Sequence, residues 1–140
     1  MSGRVFFDTN VLVYGYDDDN PTKQQIARDL LRRAIRTGQG VLSTQVLGEF
    51  FVTVTRKTRQ LRSAEETEDI IATLGILPTV EIDLPLVRRA IETHRRYEIA
   101  YWDSSIIAAA ERGDCSKVLS EDMNHGQKYH EVKVENPFLR

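Results

Sequence analysis

Read as alternating apolar and polar positions, the chain falls into short buried strands separated by amphipathic helices. Arg4 is followed by the apolar run Val5-Phe6-Phe7, a buried strand that stops at Asp8. Thr9 to Tyr16 then read as a short helix, with Asp8 or Thr9 as its cap. Asp17-Asp18-Asp19-Asn20 is a polar break, and Pro21 suits the first turn of the next helix. That helix runs to about Arg36, with Ile26, Ala27, Leu30, Leu31 and Ala34 on one face, and ends in Thr37-Gly38-Gln39-Gly40. Val41-Leu42-Ser43 is a second strand. Thr44 is the expected cap of a third helix with the stripe Val46, Leu47, Phe50, Phe51 and Val54.

Ser63-Ala64-Glu65-Glu66 has the form of a capping box and opens a fourth helix that stops near Gly75. Thr79 to Ile82 alternate as an edge strand. Asp83 and Pro85 begin a fifth helix, with Val87, Ala90, Ile91 and His94 on one side. Asp103 to Arg112 form a sixth, ended by Gly113. Lys117 to Ser120 form a strand, and Glu131 to Val134 a last one. Strands alternating with helices predict an α/β sandwich around a mostly parallel sheet.

Composition narrows this only a little. The 140 residues suit one domain, residues 1–140, without internal repeat or linker. The apolar share is 41% and the charged share 29%, ordinary for a soluble protein. One cysteine, Cys115, rules out an intramolecular disulfide and suits a reducing compartment. No stretch approaches the roughly 20 apolar residues of a membrane span, and MSGRVFFDTN lacks the apolar length of a signal peptide. The expected location is the cytoplasm, with no membrane partner. A net charge of −2 excludes binding of nucleic acid by bulk positive charge, so any such function rests on local patches.

Position makes four acids stand out. Asp8 ends the first strand, Glu49 lies on the helix after the second, Asp103 opens the sixth helix, and Asp122 follows the strand that ends at Ser120. In an open parallel sheet, ligand sites form at the carboxyl ends of the strands. Each acid borders apolar residues, and a carboxylate held partly dry is costly unless a cation accompanies it. Carboxylates drawn together either protonate or enclose divalent cations; hard oxygen donors favour magnesium or manganese. Such a cation lowers the pKa of a coordinated water and stabilises a phosphodiester under in-line attack. Thr9, Asn10, Ser43 and Ser120 are small polar neighbours suited to orient these ligands, or simply to cap helices.

These residues together resemble a family. Val5-Phe6-Phe7-Asp8-Thr9-Asn10-Val11-Leu12, then Ser43 with Glu49, then Tyr101-Trp102-Asp103, then Leu119-Ser120-Glu121-Asp122, and the closing Asn136-Pro137-Phe138, resemble a PIN-domain ribonuclease of the VapC-like toxin kind. The resemblance implies a three-layer α/β/α sandwich with a central, mostly parallel sheet. It implies an endoribonuclease dependent on magnesium or manganese, with RNA as substrate. It carries the metal-binding and catalytic role to Asp8, Glu49, Asp103 and Asp122, with Glu121 competing for the role of Asp122. It further implies a homodimer and a cognate antitoxin. Ser104 departs from the alanine the family often has there.

Other features have plainer readings. Asp17 to Asp19 read as a solvated loop, His125 and His130 as surface histidines, and His94 as a packed one. Arg56, Lys57, Arg59 and Arg62 crowd the end of the third helix, either as favourable charges at its C-terminus or as a phosphate-contacting patch. Tyr101 and Trp102 are packing anchors or stacking surfaces. Two other functions compete: a non-catalytic RNA- or protein-binding module, which has no need of all four acids, and a phospho-acceptor enzyme using Asp8, against which Asn10 stands where a second acid is usual.

Overall fold

A computed structural model of the chain describes residues 3–139. The elements follow in the order β1 (Val5–Phe7), α1 (Thr9–Tyr14), α2 (Pro21–Thr37), β2 (Gly40–Ser43), α3 (Thr44–Arg56), α4 (Ala64–Leu74), β3 (Thr79–Val80), α5 (Leu84–Tyr97), α6 (Tyr101–Arg112), β4 (Lys117–Leu119), β5 (Lys128–Tyr129) and β6 (Val132–Glu135). The six strands form a sheet in the order β3-β2-β1-β4-β6-β5. Every pairing is parallel except the β5–β6 hairpin. Parallel strands need covered faces, and helices supply the cover on both. Gly40 and Gly113 mark close approaches between the layers. A Cβ on Gly40 would stand 2.7 Å from Ala34 Cβ of α2, and one on Gly113 would stand 2.7 Å from Val41 Cγ1. Gly40 and Val41 are successive strand residues and face opposite ways. The α2 layer and the end of α6 therefore bear on opposite faces, giving the expected α/β/α sandwich.

The core joins Phe6, Phe7, Val41, Leu42, Val118 and Leu119 of the sheet to Leu31, Phe50, Leu86 and Ile107 of the helices, all buried. Local chemistry sets most boundaries as read from the sequence. Ser63 and Glu66 form the full capping box, and Gly38 closes α2 in a left-handed turn at φ 69°.

Several expectations shift. Ser43, not Thr44, caps α3: its backbone is extended and its Oγ accepts the Val46 N–H at 3.3 Å. α1 ends at Tyr14, short of Tyr16, and the edge strand stops at Val80, short of Ile82. α6 begins at Tyr101, so Asp103 lies in its first turn rather than at its cap. The buried face of α5 is Leu86, Ala90 and Thr93, while Ile91 is 44% exposed and His94 lies at the surface. Thr93 tolerates burial because its hydroxyl hydrogen-bonds to Arg89 O and to His130 Nε2. That contact makes His130 half-buried rather than a surface residue. The two-residue strand β5 was too short to show in the pattern, and it precedes a turn in which His130 is left-handed at φ 54°.

Candidate active site

The sheet order reverses direction at β1: β2 lies on one side and β4, from the far end of the chain, on the other. This is the switch point at which open α/β sheets leave a crevice. β1 and β4 pair in register, Phe7 opposite Leu119. The next residue of each strand is therefore forced alongside the other. Asp8 N–H donates to Leu119 O at 3.0 Å, and Ser120 Oγ donates to Asp8 Oδ2 at 2.7 Å. Asp8 also caps α1, accepting the Thr9 N–H at 2.8 Å.

Asn10, in the first turn of α1, ties the strand ends together. Its Nδ2 donates to Asp122 Oδ2 at 3.0 Å and lies 3.4 Å from both Asp8 Oδ2 and Ser120 Oγ. Its Oδ1 accepts the Glu121 N–H at 3.0 Å. Thr9 turns the other way, donating its hydroxyl to Glu49 Oε1 on α3 at 2.7 Å. Thr9, Asn10 and Ser120 are thus in direct contact with the acids, as their positions suggested. Ser43 is not: its hydroxyl serves the cap of α3.

Asp8, Glu49, Asp103 and Asp122 line one cleft of about 800 Å³. Asp8 is only 8% exposed. Burial, opposed by the Ser120 and Thr9 hydrogen bonds and reinforced by the charges of Glu49 and Asp103, pushes its pKa from 3.8 to about 6. Burial and the charges of Asp122 and Glu49 likewise raise Asp103 above the usual carboxylate range. The four carboxylates therefore share one electrostatic field. Among the described residues none of them forms an ion pair.

Glu121 is different. It accepts a hydrogen bond from Tyr14 Oη at 2.7 Å and pairs with Lys23, whose ammonium lies 4.7 Å from the Tyr14 ring centroid. Those partners hold it below the usual carboxylate range, although burial alone would raise it. Its charge is already matched, which leaves Asp122 as the acid of this turn without a cation. The residues that hold Glu121 had no signal in the sequence, because Tyr14 and Lys23 lie near the opposite end of the chain.

The donor chemistry suits a hard divalent cation: one buried and three more accessible carboxylates on one cleft, none of them in an ion pair among the described residues. As the side chains stand, no three His, Cys, Asp or Glu residues among the described ones are grouped tightly enough to hold an ion. Asp8 is fixed by its hydrogen bonds and buried, while Glu49 and Asp122 are exposed. Asp17 and Asp19 also line the cleft. His125 is exposed and its Nδ1 accepts the Asn136 N–H. Cys115 is buried, and burial pushes its thiol up to about 12, which removes it as a nucleophile.

Solved structures share this fold. A toxin–antitoxin complex from Klebsiella pneumoniae aligns with a TM-score of 0.67 at 16% identity, over 96% of this chain and 98% of that one. FitAB bound to a DNA fragment gives 0.70 at 20%, over 97% and 96%. VapC20 from Mycobacterium tuberculosis, a toxin that cleaves the sarcin–ricin loop, gives 0.62 at 17%, over 84% and 89%. At such identities the likeness is one of fold. No curated protein matches the sequence. The family model of the PIN domain matches residues 5–130, a span that takes in β1, β4 and all four acids of the cleft, and the chain therefore belongs to the PIN-domain family.

Proposed function

We propose that this protein is a magnesium- or manganese-dependent endoribonuclease acting in the cytoplasm as the toxin of a toxin–antitoxin pair. Asp8, Glu49, Asp103 and Asp122 would hold the cation; Thr9, Asn10 and Ser120 position three of them. The bound ion supplies a more acidic water and neutralises charge on the phosphate under attack. The chain's own part is to keep Asp8 immobile, to bring Asp122 to it through Asn10, and to hold Glu49 against Thr9. The observation that carries the reading is the buried Asp8, on one cleft with three further acids, none of the four forming an ion pair among the described residues. PIN-domain membership supports a nuclease, and the fold is shared with toxin–antitoxin proteins. On the same grounds the whole chain is read as a single nuclease domain, working as a homodimer restrained by an antitoxin. No helix among the described residues is long and apolar enough to cross a membrane.

Purified protein incubated with RNA, and with magnesium, manganese or a chelator, tests this. The expected result is internal cleavage that needs the ion and disappears in Asp8→Asn and Asp103→Asn. One observation favours a second reading, a non-catalytic RNA- or protein-binding module: no three acids converge within ligating range as the side chains stand. Binding of RNA without cleavage under either ion would decide for that module.

A further inference from the structure

The turn that carries Asp122 is held on two sides by its backbone. Ser120 N–H donates to Glu135 O at 3.0 Å, and Glu121 N–H donates to Asn10 Oδ1 at 3.0 Å. Those bonds fix peptides and leave open which way the two adjacent acids point. Glu121 settles the direction, because four stretches of chain meet at its side chain. Tyr14 closes α1, Lys23 lies in the first turn of α2, Glu121 follows β4, and Phe138 lies in the segment after β6.

Lys23 is the hub of this group. Its ammonium pairs with Glu121 and lies 3.3 Å from Tyr14 Oη, donating to both. It also lies 4.7 Å from the Tyr14 ring centroid and 5.6 Å from that of Phe138, within reach of the attraction between a cation and a ring face. The two rings meet edge-on, centroids 5.0 Å apart at 69°. Asn136 brings Phe138 there: its Oδ1 accepts the Phe138 N–H at 2.9 Å, and its own N–H donates to His125 Nδ1 at 2.9 Å. A fully exposed lysine–glutamate pair contributes little. Here the Lys23 side chain is 37% exposed and that of Glu121 25%, and each contact of the group limits the freedom of the others.

We propose that Lys23, Tyr14 and Phe138 are positioning residues. They clamp Glu121, and through it they hold Asp122 where it ligates the cation. Glu121 faces the clamp, so its neighbour is the acid of the turn left for the metal. A ligand oriented before the ion arrives has less freedom to lose when the ion binds, so the clamp strengthens metal binding. The proposal rests on the metal-dependent reading of the cleft and adds to it a device built from α1, α2 and the segment after β6.

Manganese alone is the probe, titrated into purified protein and followed by the magnetic resonance signal of the free ion. Lys23→Met keeps an apolar stem against the rings and removes the shared donor; Phe138→Ala removes one ring. Each is expected to weaken manganese binding roughly 10- to 100-fold. Lys23→Arg and Phe138→Tyr restore most of it, and Glu121→Gln, which still offers an acceptor to both donors, stays close to wild type. Glu121→Ala matches the loss in Lys23→Met, and the two together lose no more than either alone. In RNA cleavage the half-saturating manganese concentration rises while the rate at saturating ion recovers. Arg89→Met breaks an ion pair with Glu111 elsewhere in the molecule and serves as the control for general loosening. Wild-type affinity in Lys23→Met and Phe138→Ala, losses that add in the double variant, or an equal loss in Arg89→Met overturns the proposal. Wild type that binds no manganese overturns the proposal and the metal reading together. Clamp-dependent manganese binding in a wild type that cuts no RNA overturns the nuclease reading and upholds the clamp.

Discussion

Replacing Asp8 by asparagine removes one charge from the cleft at nearly constant shape, and the structure fixes the sign and size of the result. Asp8 is protonated more readily in the folded chain, at about pH 6, than in the unfolded chain, at about 3.8. Below pH 4 both states carry the proton and the site costs nothing. As pH rises from about 4 to about 6, the unfolded chain gives up its proton while the folded chain keeps it, and the metal-free wild type loses about 3 kcal/mol across that interval, the loss staying constant above it. Asparagine never ionises. It does surrender one of the acceptor contacts with Ser120 Oγ and Thr9 N–H, at about 1 kcal/mol. The variant is therefore expected to be about 1 kcal/mol less stable than wild type at pH 4 and about 2 kcal/mol more stable at pH 8. In a domain of this size the latter is a rise in Tm of about 6 °C. Urea denaturation in chelator at a series of pH values measures the difference directly. Magnesium then restores wild type by binding the folded state and leaves the variant unmoved. A wild-type-to-variant difference that stays level from pH 4 to 8 refutes the assignment of Asp8 as a buried, unpaired acid.

Protons and the divalent ion compete for Asp8, so manganese affinity is expected to fall below pH 6, with proton release on binding seen by calorimetry in buffers of different ionisation heat. Asp122→Asn should abolish cleavage while Glu121→Gln retains it, because Glu121 is already engaged by Lys23 and Tyr14; equal loss in both would remove the distinction. Asn10→Ala unties Asp122 from Asp8 and Ser120, and is expected to weaken metal binding by about 10- to 100-fold in titrations of the purified variant. Gly40→Ala should cost about 1–3 kcal/mol in urea melts, since its methyl would sit 2.7 Å from Ala34 Cβ.

How far the sequence discloses this arrangement depends on the range of the forces involved. The capping box at Ser63, the glycine closure of α2 and the stripe of α3 were legible because they are decided within one or two helical turns. The stripe of α5 was misjudged because bulk is not burial. Thr93 goes inside once Arg89 and His130 satisfy its hydroxyl, and Ile91 is left out. Asp8, Asp103 and Asp122 were legible by their places at strand and helix ends and Glu49 by its place on the helix after β2, and the structure places all four on one cleft. Their hydrogen bonding was not. That Asn10 reaches Asp122 and Thr9 reaches Glu49, or that Lys23 claims Glu121, depends on the register of β1 with β4 and on the approach of α3, which no local pattern encodes.

The register of Phe7 against Leu119 bears on when the acidic cleft can assemble. Synthesis delivers Asp8 112 residues before Ser120, and chains are made from the amino end at roughly 5–20 residues per second. An unfinished chain still emerging from the ribosome lacks the strand that flanks Asp8 and the turn that completes its acidic cluster. Such a chain has no assembled cleft in which to gather the four acids. The topology thus withholds the assembled cleft until β4 and the turn after it have been made, a delay built into the order of the strands.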